Sequence, residues 1–196
     1  MNVARTAAEW DRVHTVGEGV GRMISAEELI KFRRFVGPGP GQVVIDAGCG
    51  KGAFSQQLWR YGCDVTGIDW SAEALRRARR ALSGGQKRRL RYLQHDLNTD
   101  GPPEVESSSV DLVVCRFSLA HLGDRERFLS QARDWLKPGG IGYVMTFVRE
   151  KLPPRAAHAG LAEEEIAVLD RGWGSAVRYG LGRAAVVVLR RADLAP

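Results

Sequence analysis

The chain has 196 residues, 44% hydrophobic and 27% charged, a balance that excludes a mostly disordered polymer and predicts one domain with a sizeable core. Its formal net charge is +6. Eight of its 29 Lys and Arg lie between Arg76 and Arg91 with no acid among them, and the other 21 face 23 Asp and Glu, a net of −2; the excess is one local patch, not a general affinity for nucleic acid.

In chain order, the first forty residues hold one or two helices, including Ala26–Val36. Gln42–Asp46 follows a Gly/Pro cluster and reads as strand one. Gly52–Tyr61 reads as a helix ended by Gly62, and Cys63–Asp69 as strand two. Ser71 is the expected N-cap of a helix with Glu73 in its first turn, running to about Leu82 before Gly84-Gly85. Arg89–His95 is strand three. Leu97–Ser109 is polar, carries a proline pair and reads as loop. Val110–Arg116 is strand four, nearly all apolar, as a strand covered on both faces should be. Asp124 caps a helix to Leu136, closed by the turn Lys137–Gly140. Ile141–Val148 is strand five, and Glu163–Arg171 a helix. Ser175–Tyr179 and Ala184–Arg190 form a hairpin through Gly180–Gly182.

Strands separated by helix-length segments imply parallel βαβ units, hence a Rossmann-like α/β/α sandwich of three layers. The terminal hairpin puts one antiparallel strand in the sheet. Ligands of such folds sit beyond the carboxyl ends of the strands. The longest apolar runs fall far below the ~20 residues of a membrane span. No basic start with an apolar stretch marks an export signal. Cys49, Cys63 and Cys115 show no CxxC spacing. A cytoplasmic chain without a disulfide framework or a metal site is expected.

The informative stretch is Val43 to Ala53. Gly48, Gly50 and Gly52 alternate between a strand and a helix, where backbone freedom and free helical N–H groups suit an anion or a close ligand. Asp69 ends strand two, 21 residues after Gly48, where an acid accepts from ribose hydroxyls. These features predict a nucleoside-containing cofactor. Gly48-x-Gly50-x-x-Ala53 also fits a loose dinucleotide pattern. Asp46 argues against that reading, because a carboxylate there suits an ammonium better than a pyrophosphate. His95-Asp96-Leu97 at the end of strand three offers a carboxylate for an adenine amino group.

Taken together, VIDAGCGKG (44–52), GIDWS (67–71), HDL (95–97), VDLVVCRFSLAHL (110–122) and WLKPGG (135–140) resemble a class I S-adenosylmethionine-dependent methyltransferase, of the kind found as small enzymes of bacterial secondary metabolism. The resemblance covers about residues 42 to 148. It implies a mostly parallel seven-stranded sheet of order 3-2-1-4-5-7-6 with strand seven antiparallel, and S-adenosylmethionine as cofactor with S-adenosylhomocysteine as product. Residues 1–40 would form a helical lid and 41–196 the catalytic domain. Asp46 and the backbone of Gly48, Cys49 and Gly50 would hold the methionine part. Asp69 would take the ribose hydroxyls, with Trp70 against the adenine face. Asp96 and Leu97 would meet the adenine, while Arg116 and Phe117 would sit beside the sulfonium.

Methyl transfer is an in-line displacement that needs positioning and exclusion of water. His121 is the candidate base, with an ordinary pKa of about 6.5. His14, Trp10 and Asp11 are candidates for the acceptor pocket or for the surface, and His158 lies where the family often recognises acceptors. Cys115 is read as packing rather than as a nucleophile, since Val114 precedes it where pyrimidine-carbon methyltransferases carry Pro. The helix after Ser71 runs away from the cofactor, which puts Arg79, Arg80, Lys87, Arg88 and Arg89 at the opposite edge. The Asn/Asp-Pro-Pro motif of base-amine methyltransferases is absent; Cys115-Arg116-Phe117-Ser118 stands in its place. The expectation is therefore a small-molecule acceptor methylated at oxygen or nitrogen by a monomer or homodimer. The alternatives are an RNA or protein methyltransferase, or a cofactor-binding subunit whose acceptor site a partner completes.

Overall fold

The computed structural model describes residues 6–16, 23–99, 101–102 and 104–192. Pro103, the second member of the proline pair, and residues 1–5 and 17–22 of the expected lid lie outside them. Two helices come first, α1 (Ala7–Val16) and α2 (Ala26–Phe35). They are followed by β1 (Val43–Ala47), α3 (Ala53–Arg60), β2 (Asp64–Asp69), α4 (Ala72–Arg80), β3 (Leu90–Gln94) and β4 (Val110–Arg116). The chain continues with α5 (Arg125–Trp135), β5 (Leu136–Val148), β6 (Gly160–Leu161), α6 (Glu163–Ile166), β7 (Ser175–Leu181) and β8 (Ala184–Arg190).

The sheet runs β3-β2-β1-β4-β5-β8-β7, with β6 pairing the end of β5. Strands β1 to β5 are mutually parallel, and β8 is antiparallel to both of its neighbours. With the two-residue β6 set aside, this is the order the sequence motifs imply. Alternation of side chains builds a core on each face. Ile45, Val113, Cys115, Val144 and Val187 point to the face covered by Phe128 and Trp135 of α5. Val44, Leu112, Val114, Tyr143 and Val188 point to the face covered by Phe32 of α2, Phe54 and Leu58 of α3, and Leu75 of α4. The three layers follow from those two apolar sets.

Side-chain caps set where helices begin. Ser25, Ser71 and Asp124 accept from the backbone N–H of Glu28, Ala74 and Arg127 at about 3 Å. Three elements depart from the sequence reading. The ladder of β5 starts at Leu136, opposite Val110, and resumes at Ile141, opposite Leu112, so the Lys137–Gly140 turn is looped out of a longer strand. The helix expected to reach Arg171 stops at Ile166. Beyond it Leu169, Arg171 and Trp173 donate to carbonyls three residues back, a run of tight turns instead of helix. The strand β6 is too short to carry a periodic signal. Among the described residues, no helix is long and apolar enough to cross a membrane, and no group of His, Cys, Asp and Glu could hold a metal ion.

Candidate functional site

A cavity of about 850 Å³ opens beyond the carboxyl ends of the parallel strands, a size that takes a ligand with a nucleoside. All eleven sequence-predicted site residues line it: Asp46, Gly48, Cys49, Gly50, Asp69, Trp70, Asp96, Leu97, Arg116, Phe117 and His121. So do Trp10, His14 and His158.

The glycine loop is shaped from within the protein. A Cβ on Gly48 would lie 2.3 Å from the Ser118 Cβ, and one on Gly52 would lie 2.1 Å from the Tyr92 Oη. These two glycines let protein side chains approach, a reason the sequence does not disclose. The Ser118 hydroxyl in turn donates to Ala47 O at 2.7 Å, tying the end of β4 to the end of β1. The backbone N–H groups of Gly48 and Cys49 both donate to Ile68 O on β2. The loop therefore leans toward the strand that carries Asp69.

Asp69 accepts from the Gly50 N–H at 2.8 Å and from the Ser71 N–H at 2.9 Å. Each carboxylate oxygen retains a further lone pair for a ligand hydroxyl. Burial raises its pKa, and the backbone donors and His14 oppose the rise. Asp46 is almost wholly buried. Its carboxylate accepts from the Ser55 hydroxyl of α3 at 2.5 Å, and burial pushes its pKa up to about 6. Asp96 turns one oxygen to the backbone and side-chain nitrogens of Asn98, both at 2.9 Å. Three carboxylates thus converge from the ends of β1, β2 and β3.

The thiol of Cys49 is pushed well up by burial, with the Asp69 and Asp46 charges adding to it. Burial raises that of Cys115 to about 12. Neither is a ready nucleophile, and Cys115 is 1% exposed within the core.

Helix α1 roofs this half of the cavity through three residues on adjoining turns. Asp11 accepts from the Ser71 hydroxyl at 2.5 Å and from the Glu73 N–H at 3.0 Å, at the start of α4. The Trp10 ring meets His121 edge-on, with centroids 4.9 Å apart. His14 is 3% exposed, and its Nδ1 has no hydrogen-bond partner among the described residues. Burial lowers its pKa, with Asp69 pulling the other way. A buried imidazole nitrogen at the wall of a cavity is placed to meet a ligand's polar group. The sequence offered one signal for this roof: residues 10 and 14 share a helical face.

At the end of β4, Arg116 is caught in a bidentate pair with Glu28 of α2, Nε to Oε1 at 2.6 Å and Nη2 to Oε2 at 2.9 Å. The pair is 10% and 2% exposed. Sequence reasoning placed Arg116 at the cavity and missed this partner, 88 residues away. Phe117 has φ +60°, a left-handed conformation that strains a residue with a side chain. Its N–H donates to Met145 O at 2.6 Å, and its ring stacks on Phe147 with centroids 4.5 Å apart.

The basic patch divides: Arg76 and Arg77 pair with Glu73 in the first turn of α4, and Arg77 also donates to Thr15 O of α1, while its later members lie toward the other end of the strands. Arg89 pairs with Asp64, the first residue of β2. Arg79 donates to Tyr92 O at 2.9 Å and Arg91 to the Thr66 hydroxyl at 2.8 Å.

The chain matches the family described as "Methyltransferase domain" over residues 45–144. It is 32% identical to the ubiquinone biosynthesis O-methyltransferase of Albidiferax ferrireducens over 135 residues, 69% of this chain and 52% of that one. It is 34% identical to the protein of that name from Psychrobacter cryohalolentis over 133 residues, 67% and 51%. The chain spans about half the length of the curated relatives it matches. In structure it is similar to a SAM dependent methyltransferase from Aquifex aeolicus, with a TM-score of 0.74 at 19% identity over 92% of this chain and 97% of that one. It is also similar to the [4+2]-cyclase SpnF, with a TM-score of 0.75 at 16% identity over 97% and 98%. Fold likeness of this kind extends to a cyclase, so the reaction has to be argued from the site.

Proposed function

Because the chain belongs to the methyltransferase domain family, we propose that it transfers a methyl group from S-adenosylmethionine to an oxygen of a small molecule. The observation that carries this reading is the convergence of Asp46, Asp69 and Asp96 on one cavity beneath the orphaned His14 nitrogen. The residues fit the cofactor. It carries an ammonium, ribose hydroxyls and an adenine amino group, all of them hydrogen-bond donors, and the three acids are acceptors. Asp46 would hold the ammonium, Asp69 the ribose, and Asp96 with Leu97 the adenine beside Trp70. His14 would meet a polar group from above.

Bound there, the cofactor supplies a methyl carbon made electrophilic by a sulfonium. The chain's own work is to orient, to exclude water and to take a proton. Asp46, with a pKa of about 6, is mostly ionised at neutral pH and ready for a cation. His121, placed by the turn after β4 and held against Trp10, would receive the acceptor's proton. Residues 1–40 would act as the lid, through α1. The O-methyltransferase names of the relatives support oxygen over nitrogen as the methylated atom. Most of the basic patch runs away from the cavity, and Arg76 and Arg77, its nearest members, are already paired with Glu73; neither supports an RNA acceptor, whose phosphates would surround the site.

Calorimetry tests the reading. S-adenosylhomocysteine should bind one to one, and NADH should not. Heat with NADH and none with S-adenosylhomocysteine would end it.

A further inference from the structure

The cavity has two chemically unlike halves, and the cofactor reading reaches the second only through Arg116 and Phe117 beside the sulfonium. Over β1, β2 and β3 its wall carries three carboxylates. Over β4, β5 and the turn at Pro154–Ala159 it carries Phe117, Phe147, His121, Arg155 and His158, and no carboxylate lines that half among the described residues. The aromatic pair is fixed. The rings of Phe117 and Phe147 stack at 30°, and the Arg116 guanidinium lies 4.9 Å from the Phe117 centroid. The charge of Arg116 is already met by Glu28. Arg155 and His158 are exposed at the rim, and neither has an ion pair among the described residues.

We infer that the acceptor is a planar aromatic hydroxy acid, a phenol that also bears a carboxylate. This rests on the methyltransferase reading and deepens it. The stacked phenylalanines offer a flat apolar wall to the ring. Arg155 offers the carboxylate a planar fork of donors, with His158 beside it. His121 faces the hydroxyl. In the transfer the phenolic oxygen forms a bond to the methyl carbon as the carbon–sulfur bond breaks. The bonding pair stays on sulfur, and the phenolic proton passes to the His121 imidazole. A cationic donor and an anionic acceptor attract each other strongly once water is excluded. A basic acceptor half favours that encounter. An amine acceptor would instead enter as a cation, and among the described residues this half of the wall has no acid to receive it.

The test keeps S-adenosylhomocysteine saturating and titrates, by calorimetry, a set of hydroxybenzoates and hydroxycinnamates, their methyl esters, tyramine and lactate. At least one aromatic acid should bind about tenfold or more tightly than its own ester, as one charge-assisted contact gives. Lactate and tyramine should be weaker still. The double variant Arg155→Gln, His158→Gln should bring that acid down to the level of its ester and leave S-adenosylhomocysteine affinity unchanged. Equal binding of acids and esters, a preference for tyramine or lactate, or no aromatic binding while S-adenosylhomocysteine binds normally would overturn the inference. Failure to bind S-adenosylhomocysteine would instead sink the reading beneath it, and this inference with it.

Discussion

The two ends of the parallel strands hold charge in opposite ways. At the carboxyl ends Asp46 is almost wholly buried, Asp69 is half-buried, and each is held by specific donors. At the amino ends Arg89 and Asp64 pair in the open, their side chains 43% and 49% exposed. The charged groups at the first end are few and expensive to keep. Those at the second are numerous, solvated and weakly coupled. Net charge therefore misdirects here, because most of the excess sits at the end of the strands opposite the three carboxylates.

Substitutions at the two ends sharpen this contrast. The largest effect is expected at Glu28. Glu28→Ala removes the carboxylate that meets the buried Arg116 guanidinium, leaving its charge only neutral acceptors such as Met23 O, and should cost about 3–5 kcal/mol of stability in urea unfolding; a loss under 1 kcal/mol would show that water reaches the arginine. His121→Ala should lower turnover by about a hundredfold or more at unchanged S-adenosylhomocysteine affinity. Full activity would remove it as the base. Asp69→Ala should weaken S-adenosylhomocysteine by roughly 1.5–3 kcal/mol, read by calorimetry.

Asp46→Asn divides stability from binding. The folded pKa of about 6 lies above the ordinary ~3.9 of an unfolded aspartate. The folded state therefore holds the proton more tightly, and stability declines as pH rises between those values. At pH 7 the cost is fully present. The asparagine variant should be more stable there, by on the order of 2 kcal/mol, yet bind the cofactor less well. Its stability advantage should vanish near pH 4. The smallest effect belongs to the far end: Arg89→Gln should change stability by no more than about 1 kcal/mol and leave ligand affinity where it was.

Much of this arrangement was legible in the sequence because its signals are local. The bounds of β4 follow from one apolar run closed by Arg116. Ser71 and Asp124 cap the helices they were expected to cap, and the acids at 46, 69 and 96 follow strand ends in the predicted order. What escaped depends on distant partners. Glu28 meets Arg116 across 88 residues, and Asp11 meets Ser71 across 60, so neither pair leaves a trace in spacing. The loose turns after Ile166 escaped because residues 163–171 suit a helix by composition, while Leu169 is drawn into the core. The glycines at 48 and 52 were read as room for a ligand; Ser118 and Tyr92 are the side chains that fill that room.

The hold of Asp11 on the first turn of α4 has one more consequence. Ser71, whose hydroxyl donates to Asp11, also gives its N–H to Asp69. Helix α1 and Asp69 are thus both tied to Ser71. Any lifting of α1 would strip that turn of its borrowed cap and take the acceptor from the Glu73 amide, so the hydrogen exchange of that one amide would report how often the helix leaves its seat.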